Sequence, residues 1–351
     1  MKQNRIIKEL IRWYNQNKRD LPWRKNRDPY EIWLAEVILQ QTRVDQGLPY
    51  FFHFKEKYPT VNHLAEAPID DVLRCWQGLG YYSRARNLHK CAKTIVDKYN
   101  GKFPSEREDL IRLPGIGPYT SAAIASFSFG KKEAVVDGNV IRVVARLYGI
   151  EDDISEKKTL NHIKIIVDDL IPKSIPGLFN QAIMEFGALH CTPKKPSCNI
   201  CGLLGICEAQ IKGKQDKLPF KSRKTKKRLR YFNYFLIKIN DKYLLRKREE
   251  RDIWNGLFEF FLIETKTDMS FDQLQLPDKM ILYPQEWKIL EESKTYKHLL
   301  SHQTIMCRFY KIHMSKEFEF DSKEWEEYKL YSKEEIDSLP KSILIDRYFG
   351  E

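Results

Sequence analysis

Cys191, Cys198, Cys201 and Cys207 fall within seventeen residues, in the spacing C-x6-C-x2-C-x5-C. Four thiolates so close in sequence can close around one metal centre. Zinc sites more often use two short C-x2-C knuckles with a long gap between them. Here one knuckle is flanked by two wider arms, and the chain can loop over an object larger than a single ion. That spacing suits a 4Fe–4S cluster, with a zinc site and a pair of disulfides as the alternatives.

The remaining cysteines, Cys75, Cys91 and Cys307, read as ordinary core or partly buried thiols. An odd total of seven, with four clustered, fits a reducing compartment. At 351 residues the chain has room for two or three domains, and 42% hydrophobic residues with 13% aromatics argue for a folded protein. MKQNRIIKEL has charges among its apolar residues and no signal-peptide core. No apolar stretch approaches the ~20 residues that span a bilayer. The expected location is cytoplasmic, nucleoid-associated in a bacterium, with no membrane partner. The net charge of +12 is concentrated: residues 212–230 hold ten Lys or Arg and one Asp. Such a run reads as a solvated linker and as an electrostatic contact for nucleic-acid phosphates.

The first two hundred residues read as helices joined by short turns, over 3–17, 43–57, 69–77, 83–99, 105–112, 118–129, 138–149, 156–170 and 176–190. Asp28-Pro29-Tyr30-Glu31 is a helix start, and the helix it opens, E-I-W-L-A-E-V-I-L-Q-Q-T, is apolar almost all round. The character changes near residue 231, where two strand-like runs flank an Asn240-Asp241 turn. Runs 257–264 and 304–313 are also strand-like, and E-E-I-D-S-L-P reads as a helix. The expected organisation is a helical body (1–211), a basic linker (212–230) and an α+β domain (231–351). No internal repeat is present.

Leu113-Pro114-Gly115-Ile116-Gly117 sits between two helical segments. Gly115 and Gly117 allow a tight hairpin whose N–H groups, with the next helix dipole behind them, bind a phosphate without reading sequence. A plain interhelical turn is the other reading. Glu36 has Ile32, Trp33, Leu39 and Gln40 as helical neighbours, a mostly apolar stripe on which burial raises a carboxyl's pKa. It could equally bond a neighbouring helix end. Asp137, in V-V-D-G-N-V, reads by default as the cap of the helix after it. A carboxylate anchored there stays ionised.

The hairpin, A-V-V-D-G-N-V and the four-cysteine loop together resemble the helix–hairpin–helix iron–sulfur DNA glycosylase superfamily. Within it the chain is similar to MutY-type adenine DNA glycosylases, through R-D-L-P-W-R (19–24), E-V-I-L-Q-Q-T-R-V (36–44), Q-G-L-G-Y-Y-S-R-A-R-N-L-H (77–89) and L-S-H (300–302). The resemblance covers nearly the full length. It implies an all-α catalytic body with the hairpin at about 105–129 and a 4Fe–4S loop at 191–207, followed by an α+β Nudix-like domain. It implies double-stranded DNA with adenine opposite 8-oxoguanine or guanine as the partner, and a monomer.

By the same resemblance Glu36 is the general acid that protonates the adenine ring, Asp137 the anionic partner of the developing oxocarbenium sugar, and Asn139 its support. Paired carboxylates with divided roles are what glycosidic hydrolysis uses. Tyr119 stands where related lyases carry a Schiff-base lysine, and a phenol cannot form that imine. Arg19, Trp23, Arg24 and Gln181 match the adenine pocket. Gln41 and Tyr81 match residues that fill the stack beside a flipped base. Lys194 and Lys195, in the first arm of the cysteine loop, can meet phosphates. W-N-G-L-F-E-F (254–260) resembles a Nudix-like strand, but the glycine-led R-E-x-x-E-E magnesium helix is not found, so this domain is expected to recognise rather than hydrolyse. Its reading loop is Leu300-Ser301-His302, with leucine in place of the family's phenylalanine. Rival readings are a lyase-type glycosylase for oxidised pyrimidines, a nucleotide pyrophosphohydrolase and a non-catalytic DNA-binding or redox-sensing module.

Overall fold

The computed structural model describes residues 2–222, 227–249, 251–276, 280, 287–314 and 325–350. The chain forms two compact units: Met1–Glu66 with Asn87–Arg223, and Ala67–Arg86 with Lys224–Glu351. Residues 223–226, in the middle of the basic stretch, lie outside the described residues. Among the described residues no helix is long and apolar enough to cross a membrane.

The first unit is helical. α1 (Lys2–Asn17) is strongly amphipathic and buries Ile6, Leu10 and Tyr14. These meet Val140, Val143, Val144 and Leu147 of α9 (Gly138–Tyr148) and Ile163 and Val167 of α10 (Lys157–Leu170). Phe179, Ala182, Ile183 and Phe186 of α11 (Pro176–Leu189) complete this core. Cys191, Cys201 and Cys207 pack on its edge. α2 (Pro29–Ile38) opens as its sequence demands: Asp28 caps it by accepting from the Tyr30 N–H at 2.9 Å, and Pro29 takes the first helical position. Seven of its ten residues are buried, so it is a core helix rather than a surface one. It packs on α8 (Pro118–Phe129), which buries Thr120 through Phe127 without a break. Between them the chain runs through α3 (Val44–Lys57), the short α4 (Val61–Glu66), unforeseen in the sequence, α5 (Ile69–Cys75) and α6 (Ser83–Tyr99).

Among the described residues the second unit carries one seven-stranded sheet. β1 (Arg228–Ile239), β2 (Lys242–Lys247), β3 (Phe258–Thr265), β4 (Trp287–Glu292), β5 (Tyr296–Leu299), β6 (Gln303–Met314) and β7 (Tyr328–Tyr331) lie in the order β4-β6-β1-β3-β2-β7, with β5 pairing β6. β1 and β2 join through Asn240-Asp241, and Asn240 takes the positive φ of 54° that such a tight hairpin needs. β1 pairs β6 in parallel over its full length, from Arg228↔Gln303 to Ile239↔Met314. A strand flanked on both edges and covered on both faces reads as nearly continuous apolar sequence, which F-N-Y-F-L-I does. The helical unit ends with the short α12 (Glu208–Ile211) after Cys207; in the second unit α13 (Lys333–Ser338) is opened by a Ser332–Glu335 capping box, and α14 (Ile343–Gly350) follows it.

One expectation needs correction here. β1 starts at Arg228, inside the stretch read as linker, and Arg230 is 4% exposed, with its guanidinium on Glu264 (2.6 and 2.7 Å) and Asp252 (2.7 Å). A charge counted as solvated is a buried ion pair. The composition of the run hid the alternation that begins within it.

Candidate active site and cysteine centre

A cavity of about 610 Å³ opens in the helical unit. Arg19, Trp23, Arg24, Glu36, Gln41, Tyr119, Asp137, Asn139, Gln181 and Glu185 all line it. Segments more than a hundred residues apart in sequence thus deliver nine of the expected side chains to one place. The tenth, Glu185, was not foreseen.

Glu36 sits near the end of α2, and its carboxylate Oε2 accepts a hydrogen bond from the Tyr119 hydroxyl at 2.7 Å. Burial pushes its pKa up to about 7, the Tyr119 hydroxyl and Arg24 pull against this, and the charge on Asp137 adds to it. A carboxyl in this state holds a proton at neutrality and can give it away. Asp137 is the N-cap of α9. Its Oδ1 accepts from the Val140 N–H at 2.8 Å and its Oδ2 from Asn139 Nδ2 at 2.7 Å. Burial raises its pKa and those hydrogen bonds oppose the rise, so the carboxylate is held by donors where Glu36 is held by a phenol. Two carboxyls on one cavity, in different surroundings, are the arrangement that separates an acid from an anion.

The walls fix these groups. Arg142 is 8% exposed and donates to Asn139 Oδ1 (2.8 Å), to the Gly187 carbonyl (2.6 Å) and to the Cys191 carbonyl (2.8 Å), tying Asp137's support to the start of the cysteine loop. At Gly187 a Cβ would stand 2.7 Å from the Asn139 Cβ, so only glycine lets α11 approach α9 there. Asn180 is fully buried and fully bonded, to Ser126 Oγ, the Glu133 carbonyl and the Val135 N–H, and so holds the segment that leads into Asp137.

Arg19 and Arg24 do not present free charge. Glu185, 1% exposed, takes Arg19 through Nε (2.8 Å) and Nη2 (2.7 Å) and Arg24 through Nη2 (2.8 Å). Burial alone would raise the Glu185 pKa, but the two guanidiniums overcome it and hold it at about 2. Gln181 accepts from the Tyr14 hydroxyl at 2.8 Å, which leaves its amide N–H2 as the reading end. The signal for Glu185 was present in N-Q-A-I-M-E-F: a lone carboxylate one turn after Gln181 in an otherwise apolar helix.

The hairpin lies between α7 (Arg107–Leu110) and α8. Gly115 has φ +74°, and a Cβ there would sit 2.6 Å from that of Asn87. Gly117 precedes Pro118 as the N-cap of α8, with no side-chain cap and nothing within 4 Å of an added Cβ. That terminus is open to an anion. Gln41 has φ 57° and Tyr81 φ 49°, the left-handed region that few residues other than glycine adopt. In the strand-bearing unit the Tyr81 hydroxyl donates to Ser301 Oγ. Leu300, Ser301 and His302 form the tip between β5 and β6, closed by the Leu300 N–H on the Gln303 carbonyl at 2.9 Å. His302 Nε2 meets Gln303 Nε2 at 2.7 Å. Leu300 is half-buried, and its neighbour Leu299, 60% exposed, carries the bare apolar side chain.

Cys191, Cys198, Cys201 and Cys207 are free thiols lining a second cavity, with His190, Gln215 and Arg146 among its walls. Arg146, 2% exposed, reaches Cys191 Sγ at 3.3 Å and the Thr192 carbonyl at 2.7 Å, placing positive charge beside a thiol. Among the described residues no three Cys, His, Asp or Glu side chains converge as a single-ion site. Lys194 and Lys195 are exposed on the loop. Cys75, Cys91 and Cys307 are buried.

Residues 34–168 match the HhH-GPD superfamily of base excision DNA repair proteins, and residues 233–350 match the NUDIX domain. An adenine DNA glycosylase of Buchnera aphidicola subsp. Schizaphis graminum is 38% identical over 258 residues, 73% of this chain and 74% of that protein. The human adenine DNA glycosylase is 41% identical over 218 residues, 60% of this chain and 40% of that protein. A non-covalent endonuclease III–DNA complex superposes with a TM-score of 0.53 at 28% identity, covering 61% of this chain and 98% of that one. By fold, by cavity and by these relatives, the chain belongs to the adenine DNA glycosylase family of the HhH-GPD superfamily.

Proposed function

We infer that the protein removes adenine from duplex DNA in which it is mispaired with 8-oxoguanine, and more weakly with guanine, as a step of base-excision repair. The observation that carries this reading is the single cavity holding Glu36, raised to about 7, and Asp137, a helix-capping carboxylate. An extruded adenine takes its place among Trp23, Gln181 and Tyr119. Glu36 gives its proton to a ring nitrogen, so the base leaves as a neutral purine while the N-glycosidic bond breaks. Asp137 steadies the positive sugar, and water completes the hydrolysis. Arg19 and Arg24, locked on Glu185, shape the wall, and the Arg24 charge also holds the Glu36 pKa down.

The open N-terminus of α8 holds a backbone phosphate, and Gln41 and Tyr81 fill the space that the flipped base leaves. The tip Leu300-Ser301-His302 reads the opposite base, with Leu299 or Leu300 as the apolar wedge and Ser301 and His302 as hydrogen-bonding groups. Tyr119 supplies no amine, so the product is an abasic site in an uncut strand. The enzyme acts as a monomer in the cytoplasm.

The four thiols fit a 4Fe–4S cluster. They line one cavity, Arg146 offsets thiolate charge, and the walls hold two buried polar atoms, His190 Nε2 and Gln215 Oε1, without protein partners. Cys191, Cys198, Cys201 and Cys207 would hold the cluster, which when bound orders the loop and adds a one-electron centre.

The deciding experiment compares wild type with Glu36→Gln on duplexes carrying adenine opposite 8-oxoguanine, guanine or thymine. Wild type releases free adenine from the first fastest, and the variant binds the mispair without releasing base. Normal turnover by Glu36→Gln removes the acid, and equal rates on all three duplexes remove the lesion preference. Efficient borohydride trapping of a protein–DNA adduct excludes the monofunctional reading.

A further inference from the structure

His190 and Gln215 line the same cavity as the four cysteines, and each has a buried atom with no hydrogen-bond partner, Nε2 in one case and Oε1 in the other. Buried polar atoms nearly always find partners, so two orphans on one cavity call for an occupant that supplies them. His190 cannot turn away to find another. It is 7% exposed, its ring lies 4.7 Å from that of Phe186 and 5.7 Å from that of Trp13, and its own N–H is held by the Phe186 carbonyl at the end of α11. Gln215 is half-buried. A half-turn of its amide, with no backbone movement, puts N–H2 where Oε1 stands.

Two side chains able to donate therefore line a cavity whose other walls are the four thiols, Arg146, Ser197, Gln210 and apolar side chains. Thiolate and inorganic sulfide carry negative charge and accept hydrogen bonds. Neither residue is a ligand by the cysteine spacing, and neither has a part in base excision. We propose that His190 and Gln215 each donate a hydrogen bond to a sulfur of the bound cluster and thereby set its reduction potential. The inference rests on the 4Fe–4S reading given above. A donated N–H stabilises the more negative, reduced state more than the oxidised one, so the pair holds the potential higher than the cysteines alone would.

The test uses the full-length holoprotein, loaded anaerobically with iron and sulfide. His190→Phe keeps a ring against Phe186 and Trp13 and removes the donor. Voltammetry should show its potential falling, with the equilibrium constant for reduction about tenfold lower, which for a one-electron couple is about 59 mV. His190→Asn, which restores an N–H, should recover part of the shift, and Gln215→Leu should move it the same way as His190→Phe. Pulsed EPR on the wild-type paramagnetic cluster should detect an imidazole nitrogen coupling that His190→Phe abolishes. Should His190→Phe fail to hold its cluster, that wild-type coupling decides alone: present, it supports the inference; absent, it overturns it. A brown His190→Phe protein with unchanged potential, and no nitrogen coupling in wild type, overturns the tuning role and leaves the cofactor reading standing. A wild type that takes up no brown chromophore overturns both.

Discussion

Replacing Glu36 by glutamine should make the protein inactive and, at alkaline pH, more stable. The Glu36 carboxyl is raised from an ordinary 4.5 to about 7 in the fold, chiefly because burial penalises its charge. Between those two values the folded chain holds a proton that the unfolded chain has released. The stabilisation is therefore full below the ordinary carboxylate value and is lost as pH climbs through about 7. Two-state linkage puts the loss between about pH 5.5 and about pH 8.5 at about 2 kcal/mol. Glutamine fills the same space with no charge to bury, so the variant does not share the loss. Urea unfolding of both proteins at the two pH values, followed by far-ultraviolet circular dichroism, measures the difference, and the other titrating groups cancel between them. The expected result is a stability gap that grows in favour of Glu36→Gln by about 2 kcal/mol at the higher pH. A gap of the same size at both pH values would mean that the carboxyl is solvated, and the argument for a protonated acid would fail with it.

Three further outcomes follow from the same geometry. Tyr119→Phe removes the hydroxyl that lowers the Glu36 pKa, so the alkaline limb of the single-turnover base-release profile should move to higher pH. Glu185→Gln strips the charge that offsets Arg24, a group that pulls the Glu36 pKa down, and the same limb should move to lower pH. That substitution also leaves two partly buried guanidiniums underpaired, so unfolding should become easier by roughly 3 kcal/mol. Cys201→Ser should lose the visible absorbance of the loaded protein, and limited proteolysis should then cut between Cys191 and Cys207, where wild type resists.

Much of this was written in the chain. Helix starts with a local chemical cause, such as Asp28-Pro29 and Gly117-Pro118, fall where the sequence places them, because capping is decided by a few adjacent residues. The Asn240-Asp241 hairpin is local in the same sense. The cavity's residues were legible one at a time through resemblance, and their convergence is what the fold adds. What stayed hidden depends on contacts distant in sequence. Glu185 gains its role only from Arg19 and Arg24, which arrive from the other end of the unit. Nothing in the sequence singles out Arg142 or Arg146, yet both turn inward to the cysteine loop. β4 exposes five of its six residues without alternation and β5 spans only four residues, so neither stands out, and they form because β6 offers them an edge. Arg230 was masked by nine neighbours of like sign.

Residues Ala67–Arg86 belong with the strand-bearing unit although the helical unit precedes and follows them in sequence. Asp70 pairs with Lys247 at 2.5 Å, Gln77 Oε1 accepts from the Lys341 N–H at 3.3 Å, and Tyr82 and Arg86 donate to the carbonyls of Lys341 and Asn255. A protease that nicked the lysine-rich stretch would therefore not liberate two autonomous fragments. The front piece would keep twenty residues whose partners lie on the back piece, and the two should stay associated until denaturant parts them.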